Sequence, residues 1–468
     1  MRGEAGVTSA DVAVLGAGPA GLAAAWRAAR AGHSVVVLER ASAVGGMAAS
    51  FEVAGVRVDH GSHRLHPATE PRVLAALHEL LGDDLQRRPR NGRIRLDGRW
   101  IGFPLRTGEL VRRLPPGFAL RAGRDAVLSP VRRRSSEDTF AAETAARVGP
   151  TLAREFYGPY ARKLWGLDAR ELSAEHARRR ISAGSAGGLA ARVLSRRAPD
   201  WFWYPRRGFG QIVEALAGAA VAAGADLRVG AAVEGLDAGA GASGVADGTG
   251  GATVRLAGGE RLGAGLVLST LPLPVLTGLT GGPAARGLEH RAMVLVYLAL
   301  PRRQWTPFDA HYLPGPETRV SRASEPRNYR DGSDPEGRTV VCAEVPCAVG
   351  DEVWTAADGE LAAGVAGELA ALGLPPAEPV EVAVRRLPAA YPVYRPGFEA
   401  DLRAAEAWVA SLPGVVSLGR HGLHAHDNTH HALATAWAVT DALRPDGTVD
   451  GATWARSLER FRAHVVED

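Results

Sequence analysis

Gly16, Gly18 and Gly21, with Glu39 beyond them, are spaced to hold a diphosphate and a ribose. The run Asp11-Val-Ala-Val-Leu-Gly-Ala-Gly-Pro-Ala-Gly21 reads as a strand that turns on glycine into a helix. Gly16 permits the tight turn, Gly18 lets backbone N–H groups approach a pyrophosphate at the helix N-terminus, and Gly21 lets the helix pack against the strands. Pro19 and Ala20 open that helix. Glu39 ends the next strand, where its carboxylate can accept hydrogen bonds from ribose hydroxyls. Glycine spacing alone is weak evidence, but the apolar run Val12 to Leu15, the alanine-rich helix and the second strand Ser34 to Leu38 supply the context it requires. These residues predict a bound adenine dinucleotide. Arg40 follows the acid, and Gly45 and Gly46, with Met47, form a second glycine turn suited to close backbone approach to the same ligand.

The elements that must position these residues belong to a long and evenly mixed chain. At 468 residues, 46% hydrophobic and 23% charged, it can bury one extended core or two, which excludes overall disorder. No apolar run approaches the roughly 20 residues that cross a bilayer, and the N-terminus enters a strand without a signal-peptide core. A cytoplasmic protein with no transmembrane segment is therefore expected. Basic and acidic residues, 55 against 51, are spread along the chain, so the net charge of +4 implies no nucleic-acid surface. A small-molecule substrate is the expected partner. Cys342 and Cys347 lack zinc or redox spacing and are expected in the core. Lys163 is the one lysine among the 55 basic residues, which suggests a position where a compact ammonium matters.

Organisation along the chain is discontinuous. A helix is predicted around Glu70 to Leu81, and a hairpin over Arg93 to Phe103 that turns at Asp97-Gly98. From about 105 to 200 the pattern is helical and arginine-rich, with breaks at Pro115-Pro116 and Ser129-Pro130. A helix from Gly208 to Gly224 leads to a strand at Ala225 to Val229, a glycine-rich hairpin tip over 235–251, and a buried strand from Leu266. Strands Ala292 to Leu300 and Thr339 to Val345 alternate with a helix near Gly359 to Leu372. Val415 to Arg420 is predicted as a strand, and Asn428 to Leu443 as a helix capped by Asp427 or Asn428. The fold class is α/β, with a Rossmann-type dinucleotide-binding domain built from 1–95, 203–291 and 396–468. An inserted α+β substrate domain has a helical part, 96–202, and a β-rich part, 292–395.

The double glycine after Glu39 resembles the FAD-binding flavoproteins of the amine oxidase and protoporphyrinogen oxidase superfamily, with their GR2-like fold, and implies FAD rather than NAD. Ser417-Leu-Gly-Arg-His-Gly-Leu-His-Ala-His-Asp-Asn-Thr-His-His431 resembles their closing motif, in which a strand meets a helix whose N-terminus faces the flavin. This resemblance implies cofactor contacts from Gly419, Arg420, Asp427, Asn428 and Thr429, and carries Val233 with them. The positive end of such a helix stabilises the negative charge of a reduced flavin. No cysteine lies where it would reach the flavin, so FAD is expected to be noncovalent. Histidines at 421, 424, 426, 430 and 431 invite a metal reading, but no ligand motif is present and no metal is expected.

Other stretches resemble UDP-galactopyranose mutase. His60-Gly-Ser-His63-Arg-Leu-His66 resembles the segment that lies against the isoalloxazine, which implies flavin contacts from His60, Gly61, Ser62 and His63. Phe156-Tyr-Gly-Pro-Tyr160-Ala-Arg-Lys163-Leu-Trp165-Gly166 resembles a pattern of its nucleotide site and implies substrate contacts from Tyr160, Lys163 and Trp165. Arg322, in Arg322-Ala-Ser-Glu325, and Arg180 resemble its diphosphate-binding arginines, a role that suits a planar guanidinium. His424 and His426 stand where the mutase has diphosphate-binding tyrosines, and Trp203 to Glu214 resembles the protoporphyrinogen oxidase branch instead. The expected activity is hydride transfer to flavin N5 from a small molecule of sugar-nucleotide or glycosyl type, with His63 or His60 as base and Arg322 on the substrate. The alternatives are a redox-neutral nucleotide-sugar mutase using reduced FAD, and a flavin-binding partner protein without catalysis.

Overall fold

The computed structural model of the chain describes residues 8–104, 113–128, 136–181, 200–239 and 251–466. The predicted break at Ser129-Pro130 and most of the glycine-rich tip over 235–251 lie outside the described residues. Five parallel strands form the heart of the first sheet, in the spatial order Asp226–Val229, Val35–Glu39, Thr8–Leu15, Arg261–Ser269, Val415–Ser417. Covered on both faces, they read as continuous apolar runs such as the buried Val35-Val-Val-Leu38. The Arg261–Ser269 strand divides its outer edge between two partners. Residues 261–264 pair antiparallel with Ala252–Leu256, and 267–269 pair parallel with Val415–Ser417. Val233–Ala238 completes the sheet beyond Ala252–Leu256.

Helices Pro19–Arg30, Gln211–Ala222 and Thr429–Asp441 cover one face through Leu22, Trp26, Ile212, Leu433 and Trp437. Leu273–Leu279 and Phe398–Ser411 cover the other through Leu276, Phe398 and Val409. The predicted strand over Val415 to Arg420 ends early, at Ser417, because Gly419 turns at φ +75° into the short helical segment Gly419–Gly422.

The second sheet runs Glu381–Val393, Glu289–Leu300, Thr339–Cys347, Arg322–Ser324, Ala310–Tyr312, Gly92–Leu96, Arg99–Phe103. The hairpin turns at Asp97-Gly98 as predicted, but the boundary placed after residue 95 cuts through it. Both of its strands belong to the second sheet, because Arg93 and Ile94 pair with His311 and Tyr312. Leu85–Pro89 pairs instead with Trp201–Pro205, whose Phe202 and Tyr204 are buried in the core of the nucleotide half. Helices Phe140–Val148, Gly158–Trp165 and Ala174–Arg180 pack around Phe140, Leu164, Trp165 and Ala177, as the helical pattern predicts. Cys342 and Cys347 are free, buried thiols of the Thr339–Cys347 strand. Among the described residues no helix is long and apolar enough to cross a membrane.

Candidate active site

The glycine loop is a cradle. Gly16 adopts φ +99°, and its N–H donates to the Leu38 carbonyl at 2.8 Å. A Cβ on Gly21 would stand 2.0 Å from the Gly16 carbonyl oxygen, so helix and loop touch there. Gly18 is different. It is the extended N-cap of the Pro19–Arg30 helix, and a Cβ placed on it would meet nothing within 4 Å. Open space before a helix N-terminus is what an anion requires. Gly45 donates to the Ala17 carbonyl at 2.8 Å, a Cβ on Gly46 would lie 3.6 Å from the Gly18 Cα, and one on Gly419 would lie 2.9 Å from the Ala20 Cβ. Three segments distant in sequence thus converge on one opening. Glu39 stands beside it, with Oε2 accepting the Ala17 N–H at 2.8 Å and Oε1 accepting the Ala41 N–H at 2.9 Å. Arg40 is exposed, and Val233 is half-buried in the outer hairpin.

The segment from His60 to His63 is held from the second sheet. Tyr297 donates its hydroxyl to the Asp59 carbonyl at 2.6 Å and accepts the Gly61 N–H at 3.2 Å. Glu344 Oε1 accepts the Ser62 N–H at 2.8 Å. Asp59 itself is buried and accepts from the Phe209 N–H at 2.9 Å and the Ser50 hydroxyl at 2.6 Å. The His63 ring stacks on Phe209 with centroids 5.1 Å apart. Burial, with Arg322, His60 and Arg420 around it, pushes His63 down to about pKa 3, and burial lowers His60 as well. A base that takes its proton near neutral pH is therefore not what His63 provides; it stays neutral and is a weak proton acceptor.

Arg322 also departs from expectation. Its Nε donates to Glu344 Oε1 and its Nη2 to Glu344 Oε2, both at 2.9 Å, so it enters the site already neutralised rather than as a free anion receptor. Arg64, unremarked in the sequence, lies in the same buried region, donating to the Tyr312 hydroxyl at 3.0 Å and to Asp309 at 3.2 Å.

A second cluster closes around Trp165. The His176 ring lies 4.1 Å from Trp165 and 4.4 Å from His426, and His426 lies 4.8 Å from Tyr394. Arg180 sits over Trp165 and Tyr391 at 5.6 and 5.8 Å. His424 adopts φ +47°, an uncommon conformation for a histidine, and packs 4.9 Å from His290. All six ring nitrogens of His176, His424 and His426 are buried without a hydrogen-bond partner. His176 and His290 escaped the sequence reading because each stands alone in its segment, with no spacing signal. Lys163 does not join this cluster: its ammonium donates to the carbonyls of Leu313 and Val320, the latter at 3.1 Å, and burial pushes it down to about pKa 8. Its compact ammonium links the Gly158–Trp165 helix to the connection between the strands Ala310–Tyr312 and Arg322–Ser324. Tyr160 packs on Phe156 at 5.9 Å. Asn428, not Asp427, is the N-cap, its N–H donating to His431 Nδ1 at 3.3 Å, while Asp427 directs its carboxylate at His431 and His464.

The sequence pattern of flavin-containing amine oxidoreductases matches residues 19–439. The chain belongs to that family. A Mycobacterium tuberculosis protein assigned as a flavin-containing monoamine oxidase is 35% identical over 192 residues, covering 38% of this chain and 41% of that protein. The chain thus matches less than half the length of this relative. Among solved structures, reduced UDP-galactopyranose mutase superposes with a TM-score of 0.78 at 20% identity, covering 98% of this chain and 100% of the other. A protein from Exiguobacterium assigned as a protoporphyrinogen oxidase follows at 0.72 and 19%, covering 94% and 99%. Putrescine oxidase gives 0.64 and 18%, covering 93% and 99%. These likenesses show the Rossmann-type flavoprotein fold, and the family is one of flavin-containing oxidoreductases.

For this family member the buried histidines dictate an acid response. Burial first, then neighbouring Arg420, Arg93 or other histidines, pushes His63, His311, His421 and His424 down to about pKa 3, and His290 to about 4. Unfolded, each would titrate near 6.5, so between that pH and the folded value the unfolded chain binds more protons. Stability is complete above about pH 6.5 and falls as the pH drops, by up to about 1.4 kcal/mol per pH unit for each such histidine. Urea unfolding at pH 7, 6 and 5 should show this steep loss; a flat profile would mean the rings are protonated in the fold.

Proposed function

We propose that this chain binds FAD noncovalently across the Gly16–Gly21 cradle and oxidises a hydroxyl-bearing, glycosyl-type small molecule, the carbon-bound hydrogen leaving as hydride to the flavin and the hydroxyl proton passing to solvent. The observation that carries the substrate class is the set of six orphaned ring nitrogens on His176, His424 and His426. Buried polar atoms are nearly always satisfied, so a ligand that both donates and accepts is the natural partner of neutral imidazoles. Sugar-like hydroxyls do both. An adenine dinucleotide is supported by the paired glycine turns and by Glu39, and noncovalent attachment by the burial of both thiols within the second sheet. The bound flavin supplies a two-electron acceptor. The chain's own residues would do the rest: Trp165 and Tyr394 pack against the histidine cluster, whose rings would part to orient hydroxyls, and Arg180 brings positive charge over Trp165. Neutral His63 serves hydrogen bonding rather than proton storage. The discontinuous nucleotide half holds the cofactor, and the second sheet with the helical part forms the substrate side.

A mutase needs cations for a diphosphate, and two of the candidates are committed elsewhere, Arg322 to Glu344 and Lys163 to backbone carbonyls. This favours net oxidation. Anaerobic titration of the yellow protein with sugars, nucleotide sugars, amines and tetrapyrrole precursors tests the reading. Bleaching by a hydroxylated compound is expected. Bleaching by an amine alone overturns the substrate class, and turnover of a nucleotide sugar only after dithionite reduction establishes the mutase instead. His426→Phe should raise KM about 10- to 100-fold while flavin stays bound, the effect of removing hydrogen-bonding groups from a polar pocket.

A further inference from the structure

We propose that Asp427, His431 and His464 bind one zinc ion that clasps the C-terminal tail to the closing helix. One ligand atom from each of the three residues lies within 4.8 Å of the others. The Asp427 side chain is only 1% exposed, yet neither carboxylate oxygen has a hydrogen-bond partner. Its Oδ1 stands 3.8 Å from His431 Nδ1 and 3.6 Å from His464 Nδ1, beyond hydrogen-bond length. A buried carboxylate without a partner is costly, and two imidazoles facing it at this range leave a gap that a cation would fill. Zinc bonds nitrogen and carboxylate oxygen at about 2.0–2.2 Å, so a small closing of the three side chains completes the sphere, with water as fourth ligand. The donor set of two imidazoles and one carboxylate suits zinc better than calcium or magnesium, which prefer oxygen.

Neighbouring cations are committed elsewhere. Arg179 donates to Glu175 at 2.7 Å, and Arg420 donates to the carbonyls of Asp427 and Ala390 at 2.9 and 2.6 Å. The 3.3 Å contact from the Asn428 N–H to His431 Nδ1 is long and readily released. The clasp joins distant elements: His431 lies in the first turn of Thr429–Asp441, whereas His464 follows the last helix, Gly451–Arg462. Sequence spacing could not reveal it, since His464 stands alone beyond that helix.

The test is zinc itself. Flavin-loaded protein is stripped with a chelator, titrated with zinc against a chromophoric competitor, and its Tm followed. One zinc per chain and a raised Tm are expected. His464→Ala and Asp427→Asn should each weaken zinc by about 100-fold or more, while His464→Ala keeps its flavin absorbance and the chelator-treated Tm of the parent. Failure to bind stoichiometric zinc, or a His464→Ala chain that zinc binds and stabilises as strongly as the parent, overturns the proposal. Either result is separate from the flavin and substrate readings, which neither assay measures.

Discussion

Gly18→Val is expected to give a folded but colourless protein. The backbone at residue 18 is extended, φ −81° and ψ −177°, which valine adopts freely, and the new side chain would enter open space. That space is the one assigned to the pyrophosphate, so the branched side chain displaces phosphate oxygens from the N–H groups of the first helical turn. Flavin affinity should fall at least about 100-fold, roughly 2.7 kcal/mol, read as flavin absorbance per chain after gel filtration. The flavin-free Tm should stay near that of the parent, because nothing in the folded chain is displaced. Gly21→Val is the contrast: with a Cβ at 2.0 Å from the Gly16 carbonyl, it must force the helix off the loop, and it should lose fold and flavin together. A Gly18→Val protein that purified yellow would remove the cradle from the cofactor site.

Glu344→Ala should cost about 3–5 kcal/mol of stability, the range for removing one partner of a buried ion pair. Glu344 is 4% exposed and receives both Arg322 nitrogens and the Ser62 N–H, so its loss strands a guanidinium and frees the segment that carries His60 and His63. Denaturant unfolding measures the loss. Replacing Arg322 and Glu344 together by Met and Leu should recover much of the stability without recovering turnover, since the apolar pair no longer holds the Ser62 N–H. Near-parental stability in Glu344→Ala would show that the pair does not hold this segment.

The cradle was legible because its logic is local: Gly16, Gly18, Gly21 and Glu39 lie within one βαβ unit, and each glycine answers a steric demand visible in the spacing. The anchors of the His60–His63 segment were not. Tyr297 and Glu344 come from strands far along the chain, and the period of a buried strand records burial without naming the partner. Lys163 stands out in the sequence by its rarity alone, and its acceptors are backbone carbonyls, which carry no sequence signature. The hairpin at residues 92–103 was recognised and its sheet was not, since the Arg93–His311 and Ile94–Tyr312 pairings join segments from opposite ends of an insertion. Trp165, Arg180 and His426 lie in one cluster with His424 beside it, yet two of the six orphaned ring nitrogens there belong to His176, a single histidine in a short helix.

The divided edge of the Arg261–Ser269 strand bears on synthesis. Its second half acquires a neighbour only when Val415–Ser417 is made, and that three-residue strand also delivers Gly419 to the Ala20 side of the glycine loop. During translation the N-terminal unit therefore emerges with its loop but without its lid. A chain cut before Val415 would lack this contact against the glycine loop and should retain flavin less well than the intact chain.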